Sequence, residues 1–434
     1  MKGKHYLLSF RALVFASMLN LPVHADVVSD WNEKALATII AAKQLPPAAA
    51  RSIAMVHVAI FDAVNSIQKR YTPYKLSVPA DSGASSEAAA AAAAHFILVK
   101  LFPDQQPALD MAYASSLASI ADDESKSSGV AIGEKVAAEI FALRSADGSN
   151  APNMYKPTTA PGVYVPTTLP VSTDQPLVKP WLLESGAQFR PAPPPVLTSQ
   201  EWARDYNETK DWGGVKSTKR TTEQSEVARF WIVTGPASWN PVVRQLLAAK
   251  NLSLIESARL LALVHMAGAD ALIAVFDAKY AYNFWRPVTA IRNGDIDNND
   301  DTTVDLSWNS LVDAPMHPEY PCAHCITSAA VATVLEAEFG AGSLPPITMT
   351  SPTAPGVTRR WTRINDYVEE VGNARIWGGI HYRNSVQVGQ AMGRRIGEFA
   401  LTRYLKPSAT FVDVTANPSA QPTVKKASAE TTGP

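Results

Sequence analysis

From about Ser253 to Phe284 the chain runs through "LIESARLLALVHMAGADALIAVFDAKYAYNF", a proline-free stretch with helical apolar spacing that is longer than any other periodic segment. So long and apolar a helix needs other helices packed around it, and the remaining sequence supplies them. "SDWNEKALATIIAAKQL" stops at Pro46-Pro47, and "AAARSIAMVHVAIFDAVNSI" carries Ile53, Val56, Ile60, Val64 and Ile67 on one face. The alanine run Ala88 to Ala94 leads into "HFILVKLF" and ends at Pro103. Alanine is the strongest helix former, so this run reads as close helix packing. Further helical patterns follow at "SQEWARDYNETKDW", at "TEQSEVARFW" and around 322–339, 358–377 and 384–404, while strand-like alternation is nearly absent. The expected fold is all-α, with two packed helical bundles. An N-terminal helical region spans 26–147, a proline-rich connector 148–198 lies over the surface, and a C-terminal bundle spans 199–405.

The ends read differently. Residues 1–25 carry Lys2, Lys4 and Arg11, then "ALVFASMLNL" and "PVHA", the pattern of a secretory signal peptide, so a secreted or periplasmic protein starting near Asp26 is expected. Residues 406–434 are rich in Pro, Ser, Thr and Ala without apolar periodicity and read as a disordered tail. No later segment offers an uninterrupted apolar run of about 20 residues, so no membrane span is expected. Losing the leader takes the formal charge from -1 to -4, a balance that argues against nucleic acid as a partner. Two cysteines are too few for a disulfide scaffold.

Three short motifs could carry chemistry. In "KYAYNFWRP", Lys279 and Arg286 are seven apart, one helix face and about 10 Å from each other if the helix continues, although Pro287 disfavours helix at Arg286. Alone, this is equally a solvated basic edge. In "RIWGGIH", Arg375 and His381 would point apart on an unbroken helix, and Gly378-Gly379 provides the break that turns them together. That histidine could equally serve the core or a cap. In "EYPCAHCITS", Pro321 reads as the first position of an apolar helix, whose free first-turn amides at Cys322, Ala323 and His324 make a ready anion site. Competing readings of the two cysteines are weaker. Ile326 stands where c-type haem attachment needs histidine, zinc lacks further ligands, and a thioredoxin-like pair lacks its βαβ setting.

In order, Lys-x6-Arg-Pro, Pro-x-x-His and Arg-x5-His resemble the three-part signature of the type 2 phosphatidic acid phosphatase and vanadium-dependent haloperoxidase superfamily. "AMVHVAIFDAVNSI" and "AYNFWRPVTAIR" extend the resemblance over most of residues 30–405, toward its soluble secreted bacterial branch. The chain departs from the pattern where Cys322-Ala323 replaces Ser-Gly and where Ser385 replaces an aspartate four positions after the last histidine. At His317 the chain resembles the algal bromoperoxidases, which carry histidine there, rather than the fungal chloroperoxidases, which carry phenylalanine; this points to a halide site for bromide or iodide over chloride, and the alternative is an ordinary loop residue.

The resemblance implies that Lys279, Arg286, Arg375 and the amide beside Cys322 and Ala323 surround the oxygens of an oxyanion. His381 lies on its axis, as the vanadium ligand of a haloperoxidase or the nucleophile of a phosphatase, and His324 is the acid–base group. With vanadate as cofactor the substrates are halide and hydrogen peroxide. With only bound phosphate, the substrate is a phosphate ester cleaved through a phosphohistidine. A catalytically weak oxyanion binder and a thiol–disulfide protein are the readings outside these two enzymes, and a homodimer is left open. Two local expectations follow. The second ring nitrogen of His381 needs a partner, from a backbone carbonyl, Ser385, or a carboxylate such as Asp366, Glu369 or Glu370. Cys322, at a helix start among cations, should be a reactive partial thiolate, or pair with Cys325, when the site is empty.

Overall fold

The computed structural model describes residues 26–408. The signal peptide read at 1–25 lies outside them, as does the tail beyond 408. Helices α1 (Val27–Ala41), α2 (Pro46–Gln68), α3 (Ser86–Leu101), α4 (Gln106–Ala118) and α5 (Glu124–Arg144) come first. An irregular stretch with one short 3-10 turn at Gln175–Leu177 leads to α6 (Gln200–Gly213), α7 (Thr222–Phe230), α8 (Asn240–Lys250), α9 (Leu254–Tyr282) and the short α10 (Pro287–Arg292). After α11 (Ala323–Phe339) an antiparallel hairpin, β1 (Ile347–Ser351) and β2 (Ala354–Trp361), precedes α12 (Ile364–Trp377) and α13 (Arg383–Arg403). The all-α expectation holds apart from this hairpin. The helix expected from 358 begins at Ile364, because residues 358–361 pair with β1.

Polar caps start many of these helices. Asp26, Ser85, Asp123 and Ser199 each accept a first-turn amide, and Thr221 with Gln224 and Ser253 with Glu256 form capping boxes. α2 and α9 cross at the centre. Both are long and apolar enough to cross a membrane by length and composition, though each is interrupted by polar residues, and 89% and 94% of their most apolar windows are buried in the fold. Each carries the same string, Val-His-x-Ala-x-x-Asp, at Val56–Asp62 and Val264–Asp270. The two histidines, His57 and His265, stack with centroids 4.7 Å apart and share the Asn32 amide at 2.9 and 3.1 Å. The two aspartates do equivalent work. Asp62 accepts the amides of Tyr74, Lys75 and Leu76, and Asp270 those of Trp181, Leu182 and Leu183, so each fixes a loop onto a core helix. The connector is therefore not wholly superficial: Trp181, Leu182 and Leu183 are buried.

Missing side chains allow the closest helix contacts. On α13, Gly389, Gly393 and Gly397 face α11, and a Cβ at these positions would lie 2.7 Å from Cys322 O, 2.3 Å from Ile326 O and 2.8 Å from Ala330 O, respectively. The stripe lets α13 lie against the start of α11, where the candidate site is. Because backbone cannot yield as a flexible side chain can, Gly393→Ala is expected to destabilise the protein by about 1–3 kcal/mol. Urea unfolding measures this, and an unchanged midpoint would contradict the packing argument.

Candidate oxyanion site

Lys279 occupies the last turn of α9, which ends because Asn283 takes a left-handed conformation. The helix does not continue to Arg286, in keeping with Pro287, so the two cations do not share one helix face. Arg286 lies beyond the reversal as the residue that precedes α10, extended as proline at 287 requires. Both cations are buried and reach the same loop. Lys279 Nζ donates to Pro318 O at 2.9 Å and Glu319 O at 2.6 Å. Arg286 donates from Nε to His317 O (3.0 Å) and from Nη1 to Ile380 O (2.8 Å), while Nη2 lies 3.0 Å from His317 Nδ1. Arg375, in the last turn of α12, donates through Nη1 to Trp231 O, and its buried Nε has no protein partner among the described residues.

Gly378 and Gly379 end α12 and turn the chain so that His381 faces these cations. The turn needs glycine: Gly379 has φ 74°, and a Cβ there would lie 2.3 Å from Gly213 O. α6 braces the same turn, since Thr209 Oγ1 donates to His381 O at 3.1 Å. His381 Nδ1 lies 2.6 Å from Glu319 Oε1, with Ser385 Oγ further off at 3.4 Å. Glu319 is the expected carboxylate from elsewhere, but the sequence reading did not name it. Asp366, Glu369 and Glu370 are not that group. Glu369 is held by Asn365, and Glu370 binds Arg359 and Trp231 Nε1.

The partners of His381 assign its tautomer. A guanidinium only donates, which makes Nε2 the accepting nitrogen, and Glu319 in its ionised form only accepts. Nδ1 therefore carries the proton toward Glu319, and Nε2, 3.3 Å from Arg286 Nη1, presents a lone pair. Burial pushes the Glu319 carboxyl up to about 7, while Lys279 and Arg286 pull it back. Burial also lowers the cations: Arg286 to about 10, Arg375 to about 9 with Arg286 adding repulsion, and Lys279 well below its usual value. His381 and His324 are both held well below the ordinary imidazole range, first by burial and then by the neighbouring cations, so both are neutral near pH 7.

The start of α11 differs in detail from the sequence reading. The helix begins at Ala323 with Cys322 as its cap, so Pro321 precedes the cap rather than opening the helix. Cys322 is not available to a ligand: its amide donates to Ser385 O at 3.2 Å and its sulfur forms a disulfide with Cys325, with both residues fully buried. This is the pairing alternative, and it removes the reactive thiolate and its alkylation. The Ala323 and His324 amides are first-turn groups with no helical acceptor. His324 Nε2 lies 3.3 Å from Val233 O.

Ala323, His324, Arg375, His381 and His317 line one cavity of ≈ 260 Å³, with apolar walls that include Phe276 and Leu272. Lys279 and Arg286 lie behind this lining, against His317, Glu319 and His381. The five residues drawn from three sequence motifs thus converge. A roomier cleft of ≈ 820 Å³, edged by Asp30, Glu33 and Glu87, brings no histidine or buried cation together.

Three buried cations, two neutral histidines and the free amides of a helix start around one cavity are groups of the kinds that hold an oxyanion. A family model described as the VCPO second helical-bundle domain matches residues 259–408. The vanadium chloroperoxidase of Curvularia inaequalis is 26% identical, with 66% of this chain and 60% of that protein covered, so the chain spans less than two thirds of that relative's length. The structure of the first bacterial vanadium-dependent iodoperoxidase superposes with a TM-score of 0.75 at 24% identity, covering 88% of this chain and 97% of that one. A holo-type bacterial vanadium-dependent chloroperoxidase gives 0.68 at 19% identity, covering 82% and 91%. Residues 259–408 thus match the second helical-bundle domain of the vanadium chloroperoxidases, and the chain shares the fold of the bacterial vanadium-dependent haloperoxidases. The relatives just named are haloperoxidases.

Because Glu319 fixes the tautomer of His381, Glu319→Ala is expected to weaken orthovanadate binding by about 10–100-fold, as loss of a ligand's supporting partner does elsewhere. Isothermal titration against wild type measures this. Equal affinities would show that the Nδ1 contact has no influence on the site.

Proposed function

We propose that the chain is a vanadium haloperoxidase-type enzyme that oxidises halide with hydrogen peroxide. The observation that carries the proposal is an imbalance of buried charge. Lys279, Arg286 and Arg375 are each at most 1% exposed, and Glu319 is the one carboxylate whose charge acts on Lys279 and Arg286, with none acting on Arg375, among the described residues. Buried cations without counter-charge are strongly disfavoured, so the arrangement suits an anion held within it. The unpartnered Nε of Arg375, the first-turn amides of Ala323 and His324, and the lone pair on His381 Nε2 are donors and a ligand of the kinds vanadate needs. When bound, vanadate supplies an electrophilic centre that activates peroxide toward halide.

The residues divide the remaining work. Lys279, Arg286 and Arg375 hold the oxyanion's charge in a site that is already organised, so no rearrangement opposes the reaction. His381 would hold the group through Nε2, with its own proton kept on Nδ1 toward Glu319. His324, neutral at the cavity wall, is placed to take a proton from incoming peroxide and return it. His317, against Arg286 and Phe276, lines the same cavity, where it would meet an incoming halide, and its identity supports bromide or iodide. Pairing and burial of the two cysteines also remove the objection that a free thiol would not survive beside peroxide.

The test is a paired assay on metal-free protein with and without orthovanadate, following halide-dependent peroxide consumption and hydrolysis of a generic phosphate ester. Halide oxidation should appear with vanadate, and any ester hydrolysis should disappear. Ester hydrolysis without halide oxidation would replace the proposal with an acid phosphatase acting through His381. Binding of vanadate with neither activity would leave an oxyanion binder.

A further inference from the structure

Resting on the haloperoxidase reading, we propose that Met316 is a site of self-oxidation, at which the enzyme's own hypohalous acid converts the thioether to the sulfoxide and thereby slows further turnover. Met316 lines the cavity one residue before His317 and is 44% exposed. Four other methionines, Met55, Met266, Met349 and Met392, are at most 4% exposed. Met111 and Met154, at 70% and 72%, are more exposed than Met316, but neither lines this cavity. An oxidant released from the site therefore meets Met316 at the mouth, at its highest concentration, before reaching the other exposed thioethers.

The chemistry balances without any further reagent. The sulfur lone pair attacks the halogen of hypohalous acid, and water oxygen then replaces halide on sulfur. The sum is one thioether and one hypohalous acid giving one sulfoxide, one proton and one halide. Sulfur loses two electrons and the halogen, formally +1, returns to −1. The product is polar and larger than the thioether.

Its surroundings connect this change to the cavity. Thr168 Oγ1 donates to Met316 Sδ at 2.8 Å, and Val171 N donates to Met316 O at 3.0 Å. Val171 and Ser172 themselves line the cavity, so Met316 fastens the connector across its mouth. An oxygen added to sulfur occupies the space the Thr168 hydroxyl now fills and makes it re-bond, which shifts this covering segment and narrows entry.

The experiment uses the full chain loaded with orthovanadate and given bromide and peroxide. Peroxide consumption and peptide mass spectrometry are followed together, beside a second sample without peroxide that receives reagent hypobromite. During turnover, the 16-Da adduct on Met316 should lead those on Met111 and Met154 several-fold. In the reagent sample Met111 and Met154 should lead, following exposure. Met316→Leu should hold its own initial rate for several-fold more turnovers than wild type. Turnover with Met316 trailing Met111 and Met154, or identical decay in Met316→Leu, would overturn the inference while leaving the proposed function standing. Absence of halide-dependent peroxide consumption would overturn both.

Discussion

His381→Ala is expected to lower vanadate-dependent halide oxidation by about 10²–10⁴-fold, the range found when a positioned catalytic group is removed. It supplies the lone pair that both partners of its ring leave unprotonated: Glu319 accepts the hydrogen bond from Nδ1–H at 2.6 Å and Arg286 Nη1 sits 3.3 Å from Nε2. No other described side chain can take its place. His317 contacts Arg286 through Nδ1 on the far side of the guanidinium's reach, and His324 lies against Val233 O. Steady-state halide oxidation at saturating vanadate measures the effect. Activity within a few-fold of wild type would place the reaction elsewhere.

The second large effect concerns Arg375, for which Arg375→Met keeps volume while removing charge. Loss of one preorganised donor to developing charge should reduce turnover by about 10²–10³-fold. Stability should move the other way, or not fall. Burial presses this guanidinium down to about 9, and Nε has no protein partner among the described residues. Replacing an uncompensated buried charge by an apolar chain of similar volume stabilises many proteins, here opposed by the Trp231 carbonyl that loses its donor. Without vanadate, the variant should therefore melt no lower than wild type. A large fall in melting temperature with unchanged turnover would assign Arg375 a structural role.

The comparison of sequence with structure follows the range of each signal. Helices were legible because their periodicity is local. The three motifs were legible because glycines and prolines mark where their side chains can turn. Glu319 was not, since it acts on His381 across 62 residues and nothing in "HPEYPC" announces a carboxylate turned inward. Pro287 already argued against helix at Arg286, but the reversal at Asn283 that ends α9 is a left-handed residue that spacing does not reveal. The Val-His-x-Ala-x-x-Asp repeat in α2 and α9 was present to be read, as was the alternation of "ITMTS", whose burial runs inside, outside, inside, outside, inside. The disulfide depends on the fold closing around both cysteines, and a three-residue spacing alone admits free thiols equally well.

Titration of the metal-free protein with orthovanadate, with phosphate as competitor, tests the central claim that the buried cations, Glu319 and His381 form one oxyanion site. The account predicts one vanadate per chain, displaced by phosphate, with binding weakened by at least about tenfold in Arg375→Met. Absence of binding, several weak sites, or one site indifferent both to phosphate and to Arg375→Met would contradict it.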